Sequence, residues 1–516
     1  MKKTFKLLLM LLIPIAMVNC DLDENIVDTF GEEDPFAGGG DAPNPCTGDV
    51  LGSGGITHTH LTTAYGTLFS SGTANHGGYW SVQHVSSDAM AIPAKGGDWF
   101  DGGIWVNMHR HTYSPTNGPL NDAFVGQYNA LNEVNTALAS EANPQFVAEL
   151  RVLRAYYYAR LLDTYGRVKI ITTPGVDAPQ ATRQQVYDFV VSELNAAIDS
   201  GNLLAIPANN AMISESAARG VLAKVYLNAE VYTGTANWAG VITQTDAIIN
   251  TGNYNLEANY RDAFKPDNDN STENIWVTPF DQTTGTGFNI AQMTLHYGSQ
   301  QTFNLDAQPW NGYAALEEFY NSYDNTDDRK ANNFLVGPQE TANGEPIIDF
   351  ASETTDPDLQ LNYTPAINEV FPNANREGGA RLFKFNFAEC QRPNMNNDYP
   401  LVRYADVLLM KAEAEARTAG DWSNATTLGL VNQVRTRAGL SVAGSLTADT
   451  FLAERGREMF METTRRSDLI RYGKWGDAWW EKDASSSDHL TMFPIPQAQI
   501  DASQTSANQL TQNPGY

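Results

Sequence analysis

The spacing of apolar positions predicts a protein built mainly from helices. The clearest run spans 146–171, FVAELRVLRAYYYARLLDTYGRVKII, where Phe146, Leu150, Leu153, Tyr157 and Leu161 recur at steps of four, three, four and four and form one apolar stripe on a helix. The consecutive tyrosines Tyr156, Tyr157 and Tyr158 spread aromatic surface wider than that stripe, so this helix is expected to be covered on more than one side. Gly166 offers a left-handed residue just past its last turn.

Weaker helical patterns flank it. Leu61 to Phe69 and Asp122 to Ala139 precede it, separated by a loop-like stretch rich in Trp, Gly and His. Thr182, Arg183, Gln184 and Gln185 have the form of a capping box, followed by Val186, Val190, Leu194 and Ala197 at helical spacing. Ser216 to Tyr232 and Trp238 to Asn250 continue the series, the latter ending near Gly252. From Arg261 to Asn397 periodicity fades, with one short helix expected over Tyr313 to Tyr323. Helices return over Leu401 to Thr418, Asn424 to Ala438 and Thr450 to Thr463. Short links favour stacked helical hairpins, although no fixed repeat period is present. The expected fold is mostly α, a tetratricopeptide-like helical-hairpin scaffold packed against an irregular loop-rich region.

The chain's start changes the picture of where it works. Lys2, Lys3 and Lys6 precede an apolar run from Leu7 to Val18, too short to span a bilayer but suited to a secretory signal. Cys20 ends that run and resembles a bacterial lipoprotein acceptor; the acidic Asp21, Leu22, Asp23, Glu24 after it resembles the signal that sends lipoproteins of the Bacteroidetes to the cell surface. The expected organisation is a signal peptide at 1–19, a lipidated flexible tether at 20–56 rich in Gly, Asp and Pro, and a single domain at 57–516. Within that domain 57–260 is an N-terminal helical part, 261–397 loop-rich and 398–516 a C-terminal helical part. Removing 1–19 takes three lysines and moves the formal charge from -27 to -30. Without basic clusters, nucleic acid is excluded as a partner. The spacing of Cys46 and Cys390 does not decide whether they pair.

Five blocks make the sequence specific: LRAYYYARLLDTYG at 153–166, YPLVRYADVLLMKAEAEAR at 399–417, LVNQVRTRAGL at 430–440, ERGREMFMETTRRSDLIRYGKW at 454–475, and FPIPQAQID with the terminal QNPGY. In this order they resemble the SusD/RagB family. The resemblance implies a lipid-anchored protein of the outer membrane's cell surface that binds oligosaccharide or polysaccharide and sits over a SusC-like TonB-dependent transporter. Thr463, where the family usually has Gly, and Arg167 and Lys169 depart from its pattern at helix ends. Arg403, Arg435, Arg437, Arg465 and Asp468 fall in or beside apolar helical patterns and are expected to pair as internal ions. The PIP at 494–496 fixes an extended tail that lies back on the body.

No catalytic signature accompanies these blocks: HExxH, GxSxG, a Walker loop and CxxC are all absent. His58 with His60 and His109 with His111 are two apart, a spacing that diverges on a helix, and Asp267, Asp269 and Glu273 lack the glycine and terminal acid of a calcium loop. A non-enzyme without metal or cofactor is therefore expected, against two alternatives: a surface glycoside hydrolase and a lid protein for peptide uptake. Sugars present flat, weakly apolar faces rimmed by hydroxyls, so their sites use aromatic platforms edged with polar side chains. Two stretches qualify. The first, 77–111, contains Trp80 and the Gly-Asp-Trp-Phe-Asp-Gly-Gly run with Asp98, Trp99 and Asp101; Trp105 in its helix-like IWVNMH is expected in the core. The second, 276–323, contains Tyr297, Trp310 and Tyr313. The expected ligand-binding residues are Trp80, Asp98, Trp99, Asp101, Tyr297, Trp310 and Tyr313.

Overall fold

The computed structural model describes residues 61–96, 98–283, 285–351 and 359–516. The expected signal, Cys20, the tether and the His58–His60 pair lie outside the described residues. Helices α1 (Thr62–Ser70), α2 (Tyr79–Val85), α3 (Ile104–His109), α4 (Gly118–Ser140), α5 (Pro144–Thr164), α6 (Arg183–Asp199), α7 (Glu215–Leu227), α8 (Ala229–Thr233) and α9 (Trp238–Ile249) come first. The irregular stretch carries the short α10 (Ile290–Thr294), α11 (Glu317–Asn321) and α12 (Asp328–Asn333). Then follow α13 (Tyr404–Ala419), α14 (Ala425–Arg437), α15 (Ala448–Glu458), α16 (Arg465–Arg471) and α17 (Gln497–Ala502).

Helix packing follows the chain and then jumps. Helices α1, α4, α5, α6, α7 and α9 each pack on the next in turn, α13 packs on α9, and α14 on α13. The helical stack therefore continues across the loop-rich stretch as though that stretch were an insertion. An antiparallel pair of buried strands, Asn274–Thr278 with Tyr399–Arg403, marks where the chain leaves the stack and returns to it.

Helix α5 is buried nearly all round. Leu150, Leu153, Tyr157 and Leu161 of the predicted stripe are fully buried, and so are Tyr158 and Glu149 on other faces. Asn143 caps its first turn beside Pro144, and Gly166 takes φ +68 past its end, where a Cβ would strike Met492. The extended tail lies on this end: Phe493 N–H donates to the Thr164 carbonyl at 2.7 Å. The capping box at Thr182 and Gln185 forms on α6 as its sequence predicts.

Several boundaries differ from expectation. Leu401 to Arg403 is strand, not helix, because Pro400 and pairing with Asn274–Thr278 hold it extended until Tyr404. The helix expected over Ser216 to Tyr232 breaks at Asn228, whose side chain bonds back to the Lys224 carbonyl. Over Tyr313 to Tyr323 only Glu317–Asn321 is helical, since Ala314 and Ala315 pair with Met90 and Ala91. The helix expected over Thr450 to Thr463 starts at Ala448 behind a Thr447 cap and stops at Glu458. Thr463 takes φ +55, the left-handed conformation that glycine accepts most readily.

All five framework charges are paired. The side chain of Arg403, 1% exposed, donates to Glu462 at 2.6 and 2.9 Å, to Glu458 at 2.8 Å and to Glu273. Arg437 bridges Glu273 and Glu458, Arg329 joins Glu458 to Glu454, and Arg435 closes on Glu454 at 2.7 Å. Arg465 pairs with Asp88, and Asp468 with Arg455 and Arg471. Cys390 is disulfide-bonded.

Burial by itself would raise the Glu413 carboxyl, but Arg471 and Arg417 overcome it and hold it at about 2. Glu454 is likewise pushed up by burial and brought down to about 2 by Arg329 and Arg457. These folded values lie below the ordinary 4.5, so the stability the pairs contribute is full above that pH and is lost as pH falls toward about 2. The melting temperature should be flat from neutral to mildly acidic pH and drop through that window, as followed by circular dichroism. Replacing Arg403→Met takes one cation from each of three buried carboxylates, leaving Arg437, Arg329 and Lys384 to hold them, and should cost about 3–5 kcal/mol in urea unfolding.

Candidate functional site

The two aromatic stretches meet. Asp98, Trp99, Asp101, Tyr297 and Trp310 line one open depression together with His76, Gln308 and Pro309. Trp310 is 54% exposed, a large apolar side chain left in water, and Trp99 is half-buried.

Backbone geometry explains how both indoles are presented. Trp99, Asp101 and Asn311 all have positive φ, at 63°, 45° and 58°, a conformation that costs such side chains about 1–3 kcal/mol each and persists only when neighbours enforce it. The enforcing contacts are visible. Lys95, fully buried, donates from Nζ to the carbonyls of Asn311 and Gly312 at 3.0 and 3.2 Å, and Arg381 donates to Asn311 Oδ1 at 2.9 Å. Trp310 and Asn311 N–H groups donate to the carbonyls of Gln292 and Leu295 at 2.7 and 2.8 Å. Trp99 Nε1–H donates to the Trp310 carbonyl, tying the two platforms directly. Its ring rests on Gly312, where a Cβ would lie 2.7 Å from two indole carbons and 2.9 Å from the Met293 carbonyl oxygen.

The polar groups are also oriented. Tyr297 Oη–H donates to Asp98, and Trp105 Nε1–H donates to Asp101 Oδ2 at 3.1 Å. Burial, reinforced by Asp98, pushes the Tyr297 hydroxyl up to about 12, so it stays protonated and keeps donating. His76 lies edge-on to the Trp99 ring at 5.1 Å and shares a 2.8 Å hydrogen bond with the Tyr313 hydroxyl. Burial holds its imidazole down to about 4 against the pull of Asp101, so it is neutral at ordinary pH. What remains at the opening is two carboxylates, a phenol, an amide and two indoles, a set suited to stacking on rings and accepting hydrogen bonds from hydroxyls.

Two expected contacts are displaced. Trp80 is fully buried on α2, its Nε1–H on the Met461 carbonyl at 3.3 Å, and Tyr313 is fully buried with its hydroxyl on Ser81 at 2.7 Å. Their rings pack at 5.5 Å beneath the depression, because α2 folds its whole length into the core. They support the platforms without reaching its opening. Trp105 is in the core as expected, 2% exposed. His109 and His111, also buried, turn to different carbonyls, those of Trp480 and Ser86.

Some lining and neighbouring residues were not anticipated. His76 and Gln308 line the depression. Phe100 and Phe371, both substantially exposed, stack at 5.0 Å, and the exposed Phe350 lies 6.4 Å from the Tyr297 ring. The crowding of histidines and glycines before Trp80 was the available signal for His76; Phe350 and Phe371 carried none, since irregular chain fixes their place.

The SusD family model matches residues 248–516. The starch-binding protein SusD of Bacteroides thetaiotaomicron is 25% identical over 436 residues, covering 76% of each chain. A SusD-like protein of Bacteroides ovatus is 24% identical over 460 residues, 77% of this chain and 78% of that one. Among solved structures, surface glycan-binding protein A from Bacteroides thetaiotaomicron in complex with laminarihexaose superposes with a TM-score of 0.71 at 21% identity, covering 88% of this chain and 98% of that chain. A laminarin-binding SusD-like protein gives 0.68 at 22% identity, covering 89% and 99%. These likenesses speak to the fold.

Gly312→Ala should push the Trp99 ring off its seat at a cost of about 1–3 kcal/mol. Near-ultraviolet circular dichroism should lose tryptophan fine structure while the far-ultraviolet spectrum stays unchanged.

Proposed function

The chain belongs to the SusD family, and from that premise we propose that it is a cell-surface glycan-binding protein that captures oligosaccharide in the depression of Trp99 and Trp310. The observation that carries this reading is the exposed Trp310 indole, coupled through its carbonyl to Trp99 and flanked by Asp98, Asp101 and Tyr297. Indole faces take the apolar face of a sugar ring, and the carboxylates accept from its hydroxyls. The carboxylates of Asp98 and Asp101 line the depression and repel anions, which favours an uncharged glycan over a uronate or sulfated polymer.

Binding takes place without turnover, and the captured sugar passes to a SusC-like TonB-dependent transporter in the outer membrane. The chain is held there by a lipid on Cys20. Supporting that arrangement are the signal-like start of the sequence and the lack, among the described residues, of any helix long and apolar enough to cross a membrane.

Trp99→Ala and Trp310→Ala should each weaken binding of the true oligosaccharide by about tenfold or more, with unchanged melting temperature for the exposed Trp310 and a modestly lowered one for the half-buried Trp99. Isothermal titration against a panel of neutral glycans checks this, and wild-type affinity in both variants would overturn the site. New reducing ends in the incubated glycan would turn the reading toward a hydrolase.

A further inference from the structure

A second aromatic pocket lies among helices that the depression does not use. Trp238 opens α9, Trp422 sits in the turn after α13, and Tyr472 follows α16; between them lies Arg417 from the last turn of α13. Its guanidinium carbon is 4.9 Å from the Trp238 ring centre, 5.6 Å from Trp422 and 4.7 Å from Tyr472. Rings packed around a guanidinium hold it by cation–π attraction and keep bulk water from its faces. Only its inner edge is satisfied: Nε donates to Glu413 Oε1 at 2.9 Å, a carboxylate it shares with Arg471. Nη1 and Nη2 make no hydrogen bond to any described residue, and the side chain is 20% exposed. Two unsatisfied in-plane donors on an immobilised cation are a fork shaped for two oxygens of one group.

We propose that this pocket binds the carboxylate of an acidic sugar, a uronate. A carboxylate matches the fork in plane and in spacing, where a hydroxyl would fill half of it. The half-buried Trp238 and Trp422 border the same opening and suit a sugar ring, which a bare inorganic anion would not use. Glu230 stands on the rim, where it accepts from hydroxyls and opposes the bound carboxylate. The acidic chain repels anions at long range and Arg471 is engaged by Glu413 and Asp468, so the attraction comes at short range from the open edge of Arg417. The charge preference is thus opposite to that of the depression of Trp99 and Trp310, and it stands independently of that site.

Titrating sodium glucuronate into the whole protein at low salt, with tryptophan fluorescence as readout, tests the proposal. A saturable change is expected, unaffected by Trp310→Ala and absent with glucose. Arg417→Gln should weaken it by about tenfold or more, the loss expected for a charge-assisted bidentate pair, and Arg417→Lys should weaken it less. Glu230→Gln, on the surface, should tighten it by about two- to threefold. If Arg417→Gln melts early, Glu230→Gln decides, since unchanged affinity there overturns the site. No saturable change with glucuronate, equal affinity in folded Arg417→Gln, or tighter binding of N-acetylglycine, which mimics a peptide C-terminus, would each overturn the assignment to an acidic sugar.

Discussion

Arg403 stands at the end of a buried strand with Glu273, Glu458 and Glu462 around its guanidinium, and the two halves of the molecule are joined through it. Glu273 immediately precedes the strand that opens the loop-rich stretch, while Glu458 ends α15 and Glu462 follows it. Arg437, Arg329 and Lys384 extend the same network, so irregular chain and helical stack are locked by ion pairs that cross between them. Taking these ions out of water is costly, and the network makes sense as a device that fixes one arrangement more than as a source of net stability.

That fixed arrangement is what lets the recognition face be irregular. The depression draws one wall from the segment before α3 and the other from the stretch after α10, with Trp99 and Trp310 separated by 211 positions along the chain. Lys95 and Arg381 bring the walls together by donating to the turn at Asn311 and Gly312. The left-handed backbone at Trp99, Asp101 and Asn311 is strain held by that support, and it presents the indoles without a regular element beneath them.

The sequence was legible where periodicity and caps speak. The stripe of α5, the capping box of α6 and the paired arginines are each visible because a core helix must repeat its apolar face and a buried charge must find a partner. The strand at Tyr399–Arg403 was not, since its register depends on a partner over a hundred residues earlier. The same limit governs the site. The composition of the two Trp- and Gly-rich stretches pointed to Trp99 and Trp310, but not to the burial of Trp80 and Tyr313, which tertiary packing alone determines. Phe350 and Phe371 were invisible for the same reason.

Of the ten tryptophans, two particular indoles are proposed to hold the ligand at one face. Fluorine NMR of protein labelled with 5-fluorotryptophan, its resonances assigned by single substitutions, reads each indole separately during titration with a bound oligosaccharide. The Trp99 and Trp310 resonances should shift together along one binding curve while those of the buried Trp80, Trp105 and Trp276 stay in place. Shifts confined to other tryptophans, with Trp99 and Trp310 unmoved at saturation, would contradict this placement of the ligand.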